Sequence, residues 1–280
     1  MKLSKSRQML WLAMVLPILS LAQESSEKKQ SKNEFNASFN YQSSLHFFGR
    51  TDSLKSSGMF PMLGIQLKNG LYAQGNFIFV QNSVQSAAYT GATVEAGYRF
   101  PQTDHFSGNV FFSRFLYKDE STLVQSALRS QAGANLSYLN KILNLNGGLS
   151  FMFSDQTDVN GSLGIDHIFI FNKGMNNAAI ALAPSFTANF GTQKFTNTYF
   201  ERKNVLGIPV TQQTTESSTQ FNLLSYEITV PVVFVKGKCN FAVSPSYVLP
   251  QNLITVPGRA DLSERGRNMF YVTVSAGIRL

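Results

Sequence analysis

From Phe35 to Leu280 the chain repeats one pattern, about ten residues alternating apolar with small polar side chains, followed by turn chemistry. The stretch NMFYVTVSAGIRL, Asn268 to Leu280, shows it plainly. Phe270, Val272, Val274, Ala276, Ile278 and Leu280 fall on one side, and Tyr271, Thr273, Ser275, Gly277 and Arg279 on the other. Successive strand side chains point to opposite faces, so this is a strand with one apolar and one polar face. Twelve such strands are predicted, over 34–44, 58–67, 71–81, 88–100, 107–117, 125–139, 142–153, 159–171, 177–190, 221–235, 239–249 and 268–280. Both faces of 71–81 carry apolar residues, which leaves its facing open. In 107–117, Phe111, Phe115 and Tyr117 are set against Phe112, Arg114 and Leu116.

The connections alternate strictly between short (68–70, 101–105, 140–141, 172–176, 236–238) and mostly longer (45–57, 82–87, 118–123, 154–158, 191–220, 250–267). An up-and-down meander then has all short turns and both termini at one end, which closes only for an even strand number.

At the other end of the sequence, Lys2, Lys5 and Arg7 precede the apolar run MLWLAMVLPILSL, which closes on Ser20-Leu21-Ala22. These are the three parts of a secretory signal peptide, with cleavage expected after Ala22. The run is broken by Pro17 and is short for a membrane span. Residues 1–22 are therefore read as signal, 23–33 as a short polar leader, and 34–280 as the folded unit. Losing residues 1–22 changes the net charge from +8 to +5, and no Lys/Arg cluster of the nucleic-acid type remains. Cys239 is the only cysteine, so no intrachain disulfide forms.

Charged residues make up 14% of the chain, against about 25% in soluble domains. The only long apolar run is the signal, which excludes a helical membrane protein. The apolar faces of the predicted strands carry no Asp, Glu, Lys or Arg. The polar faces are Asn, Ser, Thr, Gln and Gly with isolated Glu95, Arg99, Arg114, Arg129, Asp166, Glu227 and Arg279. A soluble sheet would carry charge freely on its polar face. This distribution fits lipid outside and a confined polar lumen inside. Aromatics at strand ends, among them Phe100, Tyr117, Tyr138, Phe153, Phe171 and Phe270, fit interfacial girdles.

On its signal segment MLWLAMVLPILSLAQ, its twelve amphipathic strands and the terminal strand MFYVTVSAGIRL, the chain resembles the outer-membrane β-barrel, porin-like proteins of Gram-negative bacteria. The resemblance covers about residues 34–280. It implies an all-β, closed, antiparallel up-and-down transmembrane β-barrel of about 12 strands in the outer membrane. It also implies that residues 269–280 are recognised by the barrel assembly machinery, although Leu280 stands where that family usually ends in an aromatic residue. Phe35 to Ser44 is expected to pair with the last strand and close the cylinder. An architecture carries no substrate with it.

The candidate chemistry is sparse. No cofactor or metal site is expected, because Cys239 is alone and His46, His105 and His167 are scattered. Asp166 and His167 are sequence neighbours and so point to opposite faces of a strand. No nucleophile motif accompanies them, so catalysis is not expected. The expected lumen features are Glu95, Arg114 and Arg129 on consecutive strands, facing Asp166 and Glu227. They would form a charged ladder that either selects solutes or braces a narrow barrel. The leading function is passive, either small-solute passage or a structural role. The alternatives are surface binding through loops 191–220 and 250–267, and, third, a lipid-modifying enzyme.

Overall fold

A computed structural model describes residues 32–51, 54–118, 128–172, 177–194, 220–254 and 263–280. The signal segment, most of the leader, most of the 191–220 loop and residues 255–262 of the 250–267 loop lie outside the described residues.

Fifteen strand segments build one sheet: β1 Glu34–Gln42, β2 Ser57–Gln66, β3 Leu71–Gln81, β4 Ala88–Arg99, β5 Phe106–Tyr117, β6 Ser130–Tyr138, β7 Asn144–Phe153, β8 Thr157–Asp166, β9 Phe169–Phe171, β10 Ala178–Leu182, β11 Ser185–Gly191, β12 Asn222–Thr229, β13 Val232–Lys236, β14 Cys239–Pro250 and β15 Met269–Arg279. Consecutive strands pair antiparallel from β1 to β8, then β8 with β11, β11 with β12, β12 with β14, and β14 with β15. β15 returns to β1, from Asn36↔Arg279 to Gln42↔Thr273, so the sheet closes. Three predicted strands are each split in two, as β8–β9, β10–β11 and β12–β13, so fifteen segments make a twelve-stranded barrel.

The splits have a shared cause. Pro184 and Pro231 lie in two of the gaps, and Pro245 sits on the neighbouring β14. Proline has no N–H to give to the ladder. Its carbonyl still accepts, so pairing continues across the gaps. His167 N donates to Pro184 O at 3.2 Å, Ala183 N to Pro231 O at 3.0 Å, and Val230 N to Pro245 O at 3.0 Å.

The outer wall is apolar, with Phe39, Leu63, Leu145, Leu163 and Phe241 among its exposed side chains. The interior carries buried Asn40, Asn109, Ser113, Gln131, Asn160 and Ser275. A closed cylinder with an apolar exterior leaves no unpaired edge in hydrocarbon, which is the requirement for a strand protein in a bilayer. The chain has the architecture of an outer-membrane β-barrel, with the longer loops at one end and the short turns at the other.

The facing of 71–81 is settled: Tyr72, Asn76, Ile78 and Val80 point inward. β5 faces the opposite way from expectation. Phe111, Ser113 and Phe115 are buried inside, while Phe112, Arg114 and Leu116 are exposed outside. Tyr117 packs inside as well, on Phe115 at 6.1 Å between ring centres, and leaves the proposed girdle. Leu128 also turns inward, and β6 begins only at Ser130. One physical fact accounts for all four: an apolar core fills the long-loop end of the lumen. It comprises Phe47, Phe48, Phe115, Leu128, Met152 and Leu224, beside a second cluster of Leu45, Phe60, Ile78 and Val80, with Tyr117 against both.

Candidate functional site

The core at the long-loop end is supplied largely by the β1–β2 connection. Leu45, His46, Phe47, Phe48, Gly49 and Arg50 are all buried. A surface loop rarely carries a run of large apolar residues, and here the run turns back into the barrel. Phe47 and Arg50 exchange backbone hydrogen bonds of 2.8 and 2.9 Å around a two-residue turn. Phe48 and Gly49 at its centre have φ of 52° and 79°. Both lie in the left-handed region that tight hairpin turns require, and a phenylalanine accepts it only when packing over-determines the position. Phe48, only 1% exposed in the cluster above, meets that condition.

Arg50 fastens the segment and is itself 1% exposed. Its Nε donates to Glu264 Oε1 at 3.0 Å. Nη1 donates to the carbonyls of Phe48 at 3.1 Å and Leu224 at 3.3 Å. Nη2 donates to Gln193 Oε1 and to the carbonyls of Gln251 at 3.3 Å and Asn252 at 3.4 Å. The acceptors come from its own turn, the residues after β11, β12, and both ends of the β14–β15 connection. Glu264 is held in turn by Ile254 N at 2.8 Å, and Thr51 N donates to Arg265 O at 2.7 Å. A buried cation is tolerable only with this degree of hydrogen bonding, and a planar guanidinium alone can serve so many acceptors at once.

His46 sits beside this latch. Its Nδ1 accepts from Gly49 N at 3.2 Å, and its ring lies 4.5 Å from that of Tyr271. Burial pushes its pKa down to about 3, so the ring is neutral when docked.

Three of the expected lumen charges are inside. Glu95 accepts from Tyr72 Oη at 3.0 Å, Gln74 Nε2 at 3.2 Å and Ser113 Oγ at 2.7 Å. Asn109 Nδ2 extends that network to Tyr72 Oη at 3.1 Å, and Asn135 Nδ2 extends it to Asn109 Oδ1 at 3.2 Å. Asp166 accepts from Asn144 Nδ2 at 2.9 Å and Asn146 Nδ2 at 2.5 Å. Glu227 accepts from Tyr271 Oη at 2.9 Å and Thr229 Oγ1 at 3.0 Å. Arg114 and Arg129 do not join them. Arg114 is on the outer wall, and Arg129 is exposed at the rim in an ion pair with Asp155. The ladder across β4, β5 and β6 is therefore not assembled, because β5 turns its other face to the lumen. Nearer the short-turn end, Arg99 lies over the Tyr72 ring at 5.0 Å and donates to Gln66 Oε1.

His105 stacks on Tyr138 at 6.0 Å, and His167 meets Phe169 at 4.5 Å. No group of three His, Cys, Asp or Glu side chains able to hold a metal occurs among the described residues. Sequence reasoning missed Arg50 and the role of His46. The available signal was LHFFGR, an apolar run inside a connection expected to be wet.

No protein-family model and no curated protein sequence matches the chain. Among solved structures it is similar to a KdgM porin, at 10% identity over 87% of this chain and 98% of that one, with a TM-score of 0.48. It is also similar to a NanC porin, at 11% identity over 88% and 100% with a TM-score of 0.44. LpxR from Salmonella typhimurium matches at 9% identity over 87% and 99%, with a TM-score of 0.46. What the chain shares with them is barrel architecture.

Proposed function

We propose that the protein is a passive outer-membrane barrel whose lumen is closed at its long-loop end, so that small-solute passage waits on release of residues 45–50. The observation that carries this is the buried Arg50, four of whose acceptors, on Gln193, Gln251, Asn252 and Glu264, lie on connections that must part for the mouth to open. The interior below it is lined by amides and hydroxyls with three buried carboxylates, which suits small polar solutes better than anionic ones. Glu95, Asp166 and Glu227 serve there as bracing, each held by hydrogen bonds from nearby strands or its own.

Planar-bilayer conductance of the refolded chain tests this. The wild type should be nearly silent, and Arg50→Ala should show discrete channel openings. Large, steady conductance in the wild type, equal to that of the variant, would overturn the closed-mouth reading. Silence in both, and in a variant lacking residues 46–50, would leave the structural role alone standing.

A further inference from the structure

Arg114 leaves the outer wall of β5 between Phe112 and Leu116. Across the ladder it faces Val94 on β4 and Ser130 on β6. Phe112, Leu116 and Val94 are each about half exposed, at 51%, 50% and 51%, as side chains facing lipid are. Among the described strand residues, the outward charges are Arg114 and Lys236, and Lys236 is the last residue of β13. Arg114 is thus the one charge set into the lipid-facing wall away from a strand end. Among the described residues, no hydrogen bond, ion pair or ring contact engages it.

Its depth makes such a cation tolerable. Arg114 stands three residues before the end of β5 at Tyr117, on the long-loop side. With about 3.4 Å per residue and a tilt of about 40°, that is about 8 Å below the rim. A lipid-facing arginine is costly at the midplane but not near the interface, and its long side chain snorkels toward the head groups. Lys118 follows at the rim with its Nζ 5.3 Å from the Tyr89 ring. Arg129, next to Ser130, adds a third cation, offset by Asp155. Asp119 and Glu120 lie outside the described residues.

We propose that Arg114 and Lys118 form a docking site on the outer wall for the phosphate head group of an outer-leaflet lipid, with an acyl chain along Val94, Phe112 and Leu116. A guanidinium offers paired N–H donors to phosphate oxygens, and the ammonium adds a point charge. The site is independent of the closed mouth, and rests only on the barrel's place and orientation in the outer membrane.

The test is the midpoint temperature of heat-modifiable gel migration, for the full mature chain refolded into phosphatidylcholine vesicles with or without bisphosphorylated lipid A. Lipid A should raise the wild-type midpoint by several degrees, and Lys118→Ala should lose part of that rise. Arg114→Leu should invert the order, being more stable than wild type in phosphatidylcholine alone and less stable with lipid A present. Arg114→Lys should keep part of the rise, which a purely steric role would not predict. Inorganic phosphate added to phosphatidylcholine vesicles should leave the midpoint unchanged. An equal lipid A rise in wild type and Arg114→Leu, or the same rise from inorganic phosphate, would overturn the proposal.

Discussion

Glu95 and Arg114 occupy neighbouring strands, one residue apart in register, on opposite sides of the barrel wall. Glu95 stands across the ladder from Ser113, and Arg114 from Val94. A slip of one residue exchanges the two faces of a strand, so the arginine on the neighbouring strand β5 cannot reach the carboxylate. Glu95 is satisfied instead by Tyr72, Gln74 and Ser113.

That dependence predicts the effect of Tyr72→Phe. The change removes a donor from a buried carboxylate and an acceptor from Asn109, which costs about 1–3 kcal/mol. Urea unfolding of the refolded barrel in vesicles should show this loss in the wild-type background. In a Glu95→Gln background the loss should be smaller, because no buried charge is left short of donors. Equal losses in both would mean that Tyr72 matters through packing and not through Glu95.

Gly49→Ala should loosen the β1–β2 segment without harming the barrel. A Cβ at Gly49 would lie 2.8 Å from Pro250 Cβ, and the φ of +79° is strained for any L side chain. The left-handed conformation alone costs roughly 1–2 kcal/mol, and the contact adds to it. Trypsin is the probe, since Arg50 is a cleavage site only when undocked. Expected are protection in the wild type and cleavage after Arg50 in Gly49→Ala, with the same heat-modifiable band in both. Cleavage in neither protein would place the tight contact elsewhere.

The barrel was legible in the sequence because alternation over ten residues is a long signal, and because alternating loop lengths fix the meander. Facing was legible wherever one face was purely small and polar, as with Asn144, Asn146 and Ser150 on β7. It failed on β5, where both faces carry large apolar residues. Ser107, Asn109 and Ser113 share the parity of Phe111 and Phe115 and held the answer, but Arg114 was the louder polar mark. The deeper reason is that alternation assumes a wet lumen. Phe47 and Phe48 enter the barrel from a connection and need apolar partners inside, which Phe115, Leu128 and Met152 supply. Insertion of a loop is a tertiary event with no period of its own, so Arg50 and His46 could not be placed from pattern alone.

The seam between β1 and β15 should depend on its backbone and little on its ion pair. Phe35 N donates to Leu280 O at 3.0 Å, and Leu280 N to Phe35 O at 2.8 Å. Arg279 and Glu34 meet at 3.5 Å with both side chains about one-third exposed, at 31% and 34%. A pair so placed contributes at most about 1 kcal/mol. Arg279→Ala should therefore refold with a nearly unchanged urea midpoint. Removing residues 278–280 deletes the last rungs and leaves N–H and C=O groups of β1 open to lipid, so the heat-modifiable form should be lost. A large loss from Arg279→Ala alone would contradict this order.

Acid should release the mouth, and His46 sets the window. Its ring is neutral when docked, with a pKa lowered by burial from 6.5 to about 3. The undocked segment returns the ring to water and to its ordinary value. Below about pH 6.5 only the undocked state takes up a proton, so docking is fully stable above that value and weakens as pH falls toward 3. The slope is about 1.4 kcal/mol per pH unit. A proton on Nδ1 also removes the acceptor used by Gly49 N and sets a second cation beside Arg50. Glu264 is already committed to Arg50, and the Tyr271 hydroxyl to Glu227, so neither is free to answer the new charge. Hydrogen exchange of the amides of residues 45–50, measured at each pH and corrected for the intrinsic rate, should lose protection in the wild type from about pH 6 downward. His46→Phe should hold its protection over the same range, since an aromatic of similar size keeps the packing on Tyr271 and cannot take a proton. Equal acid sensitivity in the two proteins would assign the release to another group.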